Sequence, residues 1–66
     1  MILLHPDRVK ELKKMGFFYV TVVNRNISAR PIGSVEAAFR TRNDSQRFTS
    51  ALNAKYGPHS YATEAL

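Results

Sequence analysis

Three arginines crowd one short stretch of the chain, Arg40-Thr41-Arg42-Asn43-Asp44-Ser45-Gln46-Arg47. A guanidinium fork binds phosphate or carboxylate in bidentate geometry, and a helix starting within this stretch would aim free backbone amides at the same anion. Asp44 works against such an anion, because a capping carboxylate occupies the positive end of the helix dipole. Arg25 and Arg30 flank a turn-forming segment, while Lys10, Lys13 and Lys14 share a short helix with Arg8. Tyr19 lies in a strand-forming run and is the kind of ring that stacks a base or anchors a partner. These cations and Tyr19 are the candidate binding residues. Each has a plainer reading as well: a solvated charged face, an ordinary cap, or a packed strand tyrosine.

Groups for catalysis are sparse. His5 and His59 stand near opposite ends of the chain without the paired spacing of metal ligands, and there is no cysteine to add a thiolate. Asp7 and Glu11 pair at i, i+4 among cations on one helix, the pattern of local salt bridging. Three isolated glycines build no phosphate cradle, and the serines and threonines sit in turn, cap or strand contexts. The expectation is a non-catalytic protein with no cofactor and no metal site.

The charge balance points to the partner class. Ten Lys and Arg stand against five Asp and Glu in 66 residues, a net charge of +5, with a pI near 10.1. Such a surface attracts nucleic acid or an acidic protein surface, and less readily a membrane. At this length one domain spanning 1–66 is expected, with a small core and no disulfide to supplement it, so a homodimer is an available source of further stability. The apolar opening Met1-Ile2-Leu3-Leu4 is broken by His5-Pro6-Asp7, too short for a signal sequence or a membrane span. A cytoplasmic location follows as the expectation.

These residues need elements to position them. Pro6 to Met15 reads as a helix, with proline in the first turn, Asp7 at the positive end of the dipole, Lys13 and Lys14 at the negative end, and Gly16 as the stop. Val9, Leu12 and Met15 give it a narrow apolar stripe. Phe17 to Val23 is β-branched and aromatic throughout and reads as a strand. Asn24-Arg25-Asn26 supplies turn chemistry, with a return through Ile27 to Arg30 and a break at Pro31 to Ser34.

Val35 to Arg42 alternates as a strand, with Val35, Ala37, Phe39 and Thr41 on one side and Glu36, Ala38, Arg40 and Arg42 on the other. A helix starting at Ser34 is the competing reading. A second helix is announced by Asn43 or Asp44 as N-cap and closed by Gly57-Pro58, with Phe48, Ala51, Leu52 and Tyr56 as its core stripe. His59 to Leu66 remains unassigned, with Tyr61 and Leu66 available to pin it to the core. The expected fold is α+β: a small antiparallel sheet of two or three strands with two helices packed on one face, in the order α-β-β-(β)-α.

That order resembles double-stranded-RNA-binding domains and small mRNA-interferase toxins. The toxins carry a Gly-Ser-His segment on a strand; here Gly33-Ser34 is followed by Val35, so the histidine that would do the chemistry is missing and no site is carried over. In size and composition the chain also resembles the small proteins with which bacteriophages block host enzymes. Two functions follow as expectations. The first is nucleic-acid binding or regulation through the arginine-bearing surface. The second is a protein-binding inhibitor or adaptor that docks on an acidic surface of a larger enzyme or nucleic-acid-processing complex.

Overall fold

Proline in the first turn and a capping side chain start the first helix. α1 spans Pro6–Lys14, and Nδ1 of His5, its N-cap, accepts the Asp7 amide at 3.2 Å. Met15 and then Gly16, at φ +87°, end it. The computed structural model describes residues 2–27 and 29–66. β1 follows as Tyr19–Val23, two residues shorter than the apolar run from Phe17.

β2 is Val35–Phe39, antiparallel to β1, so the ambiguous segment is a strand in its first five residues, while its last, Arg42, already belongs to the second helix. The ladder runs from Val23 directly into the segment before β2: the Val23 amide donates to Ser34 O, and the Gly33 amide donates to Val23 O. Ile27, Ala29 and Arg30, part of the expected return strand, belong to the loop between β1 and β2, and Ser28 lies outside the described residues. Thr21 pairs with Ala37 and Val22 with Val35, which leaves Glu36 as an extra residue, a bulge.

α2 spans Arg42–Tyr56. Its N-cap is Thr41, whose hydroxyl accepts the Asp44 amide at 3.2 Å, so the cap lies two or three residues before the one expected. Threonine suits the junction because its extended backbone (φ −121°, ψ 152°) continues from the strand while its oxygen serves the helix. Gly57 closes α2 as expected, its amide reaching Asn53 O at 2.9 Å.

The unassigned tail is a strand. β3, Tyr61–Ala65, pairs antiparallel with the free side of β1. The element order is therefore α1-β1-β2-α2-β3, and the sheet order is β2-β1-β3. The fold is α+β with one three-stranded antiparallel sheet and two helices; the third strand follows the second helix instead of preceding it. This order also departs from that of the double-stranded-RNA-binding domains and toxins.

β1 is central and buried from Val20 to Val23. Successive strand side chains point to opposite faces, so both faces of β1 are covered. α2 covers the face of Thr21, which bonds to Ser45 and Thr49. Val20 and Val22 point the other way and are 0% and 1% exposed. In the run before β1, Leu12 is buried, and Ile2, Leu4 and Val9 are half-buried. α2 packs against all three strands. The expected stripe of α2 also changes. Phe48, Ala51 and Tyr56 are exposed and Leu52 is half-buried, while the buried residues of α2 are Ser45 and Thr49.

Candidate functional site

The candidate arginines separate into two groups. Arg25 serves the fold: one of its guanidinium nitrogens donates to Tyr56 O at 3.2 Å and to the Ser60 hydroxyl at 2.9 Å. It thereby takes a carbonyl that the last turn of α2 leaves without a helical partner. Arg30 pairs with Glu36 and donates to Val35 O at 2.7 Å, clamping the bulge in β2. Neither charge is available in the way the sequence suggests.

Arg40, Arg42 and Arg47 are exposed. Among the described residues, Glu11 pairs with Arg8 and Glu36 with Arg30, and no ion pair reaches these three. They do not form one patch. Arg40 leaves the end of β2, Arg42 opens α2, and Arg47 lies on α2 five residues further, about 140° around a helix of 3.6 residues per turn.

Arg40 reaches back to the end of α1. Its guanidinium carbon stands 5.1 Å from the centroid of the Phe17 ring, within cation–π range. One of its nitrogens lies against Gly16 where a side chain would begin, so a residue with a Cβ would displace it. Lys13 and Lys14 occupy the last turn of α1 immediately before. Met15 and Phe18 flank Gly16 and Phe17 and are 49% and 48% exposed. Phe18 is tied to the same corner, since its amide donates to Phe39 O at 3.0 Å. This corner therefore combines three cations, an arginine-capped ring and two exposed apolar side chains. Lys10 is exposed on α1, one turn before it. Tyr19 is half-buried in β1, paired with Phe39 on one side and Ala65 on the other, on the face that carries α2. That position makes it a packing residue.

Arg42 heads a different feature, a groove of about 400 Å³ lined by Arg42, Gln46, Thr49, Ser50 and Thr63. Every lining side chain is polar. Beneath it four hydroxyls close a ring: Thr21 to Ser45 at 3.0 Å, Ser45 to Thr63 at 3.2 Å, Thr63 to Thr49 at 2.9 Å, and Thr49 to Thr21 at 2.9 Å. Thr21 also reaches Ser45 O at 3.2 Å. Each hydroxyl donates its one proton to a neighbour and accepts from another, with Thr21 sharing its proton between the Ser45 hydroxyl and Ser45 O. Sequence reasoning misses it because Ser and Thr at these positions read as caps and surface residues. The only signal is the spacing of Ser45 and Thr49, one turn apart.

No protein-family model matches this chain, and no match is found among curated proteins or among solved structures. Among the described residues no group of three or more His, Asp or Glu side chains comes together, and no helix is long and apolar enough to cross a membrane. Burial pushes the Tyr61 hydroxyl above its ordinary value, with the negative charge of Glu36 adding to the effect. Its ring packs against Tyr56 at 6.0 Å between centroids, which places it in the framework at the far end of α2.

Proposed function

We propose that the protein is a non-catalytic cytoplasmic module that binds nucleic acid, with single-stranded DNA or RNA held at the corner formed by the end of α1 and the start of β1. The observation that carries this reading is Arg40 stacked on Phe17 with no carboxylate paired to it, beside Lys13, Lys14 and the exposed ring of Phe18. Backbone phosphates would meet the three cations, and counterion release would drive association. The exposed ring and the arginine face offer stacking surfaces that any base can use, which favours tolerance of sequence. Arg25, Arg30 and Tyr19 take no part, because their side chains are committed to the fold.

The test is fluorescence anisotropy of labelled oligonucleotides, single-stranded and duplex, between about 50 and 200 mM salt. Binding should fall steeply with salt. Arg40→Ala should weaken it for all sequences alike and reduce the slope of log affinity against log salt by roughly 0.7 on single strands. Phe18→Ala should cost about 1–3 kcal/mol through lost stacking. An absence of binding at the lowest salt ends this reading.

A further inference from the structure

The two edges of the sheet are finished differently. On β2, the Arg30 guanidinium holds Val35 O, and the Leu3 amide takes Gly33 O at 2.9 Å. On β3, bonds to β1 at either end set the pattern: the Asn24 amide donates to Ser60 O and the Leu66 amide to Phe18 O, both at 2.9 Å. In an antiparallel pair such bonds fall on alternate residues, so Ser60, Ala62, Glu64 and Leu66 face β1 while Tyr61, Thr63 and Ala65 turn their N–H and C=O outward. The first of these outward residues is already satisfied. Asn53 of α2 accepts the Tyr61 amide at 2.8 Å and donates to Tyr61 O at 3.2 Å, so its carboxamide imitates a neighbouring strand.

Among the described residues no such plug reaches Thr63 or Ala65. Thr63 is also part of the polar groove, which Arg42 lines from the first turn of α2. The open edge thus presents alternating backbone donors and acceptors next to an arginine that no carboxylate neutralises. A nucleic-acid backbone offers phosphate oxygens that would oppose the two outward carbonyls, whereas an extended polypeptide matches both kinds of group. Two copies of this chain, each at +5, would bring like charges and two Arg42 side chains together across such a pairing.

We propose that the β3 edge at Thr63 and Ala65, with the groove headed by Arg42, receives an extended acidic segment of another protein, added as a fourth strand with a carboxylate on Arg42. This goes beyond the nucleic-acid reading and does not depend on it, since the two surfaces share no residue.

The experiment is an amide NMR titration of the full chain with the peptide acetyl-(Thr-Glu)3-amide, with hydrogen exchange measured at saturation. The Thr63 and Ala65 amides should shift and exchange more slowly, while those of Gly16, Phe17 and Phe18 stay in place. Arg42→Ala should weaken the peptide roughly tenfold or more, the usual worth of a hydrogen bond to a charged group. The peptide acetyl-(Thr-Gln)3-amide should be weakened to a similar extent. Ala65→Pro removes an outward donor but no bond to β1, so it should abolish slow exchange at Thr63 and leave thermal unfolding close to that of the parent. The proposal is overturned if Thr63 and Ala65 do not respond, or if Arg42→Ala and the glutamine peptide bind as well as the originals. Concentration-dependent protection of these amides without peptide would assign the edge to a second copy and overturn it too. So would displacement of the peptide from the same amides by a single-stranded oligonucleotide.

Discussion

On one face of β1, Val20 and Val22 are fully buried apolar side chains; on the other, Thr21 lies within a ring of hydroxyls beneath α2. Both faces exclude water, but they do so by different means. The Val20 face gains from area removed from water, which has no preferred direction and tolerates small shifts of its neighbours. The Thr21 face gains little area from its hydroxyls. Its bonds demand one alignment of β1, β3 and α2, because displacing any member leaves a buried hydroxyl without a partner. The hydroxyl ring, set among apolar neighbours such as Val23 and Tyr61, fixes the register in which Arg42 and Asn53 lie along β3.

The largest effect should come from the apolar core. Leu12→Ala should cost about 2–5 kcal/mol, which is most of the stability a chain of this size commands. Urea unfolding would register it, with α1 losing amide protection first. An effect below that of any hydroxyl substitution would reverse the comparison.

Next comes the ring. Thr21→Val keeps the shape but removes the group that meets Ser45, Thr49 and Ser45 O, and should cost about 1–3 kcal/mol. If the ring acts as a unit, Thr21→Val and Thr63→Val together should cost less than their sum in a double-mutant cycle. Strict additivity would reduce the ring to four separate contacts.

Arg25→Ala should cost about 0.5–1.5 kcal/mol, through loss of its bonds to Tyr56 O and Ser60. Oligonucleotide affinity should be nearly unchanged, which separates this arginine from Arg40. A drop equal to that of Arg40→Ala would return Arg25 to the binding surface.

The smallest effect concerns pH. The Tyr61 hydroxyl is held above its ordinary value near 10, first by burial and then by Glu36. The unfolded chain therefore ionises first, so stability contributed by the neutral form is intact below about pH 10 and declines as pH rises past it. Chemical unfolding between pH 8 and pH 11 would show a decline that Tyr61→Phe makes shallower; identical curves would remove the effect.

Much of the framework is legible in the residues. Pro6 and Gly16 bracket α1, Gly57 ends α2, and the β-branched run to Val23 is the central strand, because these signals act through a residue's own backbone. β3 is harder to see. Tyr61-Ala-Thr-Glu-Ala has the alanine and glutamate of a helix turn and becomes a strand because the free side of β1 needs a partner. The candidate interface is legible in part: Arg40, Lys13 and Lys14 are chosen by charge, but Phe17 and Phe18 become relevant only when β2 returns Arg40 to the end of α1.

By itself the sequence determined an α+β fold, the ends of α1, the close of α2, its central strand and an excess of cations, all consequences of local sterics and composition. Tertiary structure alone decided which arginines are spent on the fold, since Arg25 and Arg30 differ from Arg40 and Arg42 only in the carbonyls and carboxylates that distant segments bring to them. It also decided that α2 turns serine and threonine inward, because a hydroxyl belongs in a core only when other hydroxyls arrive to bond it. That meeting depends on three elements far apart in the chain, and no single stretch of residues contains it.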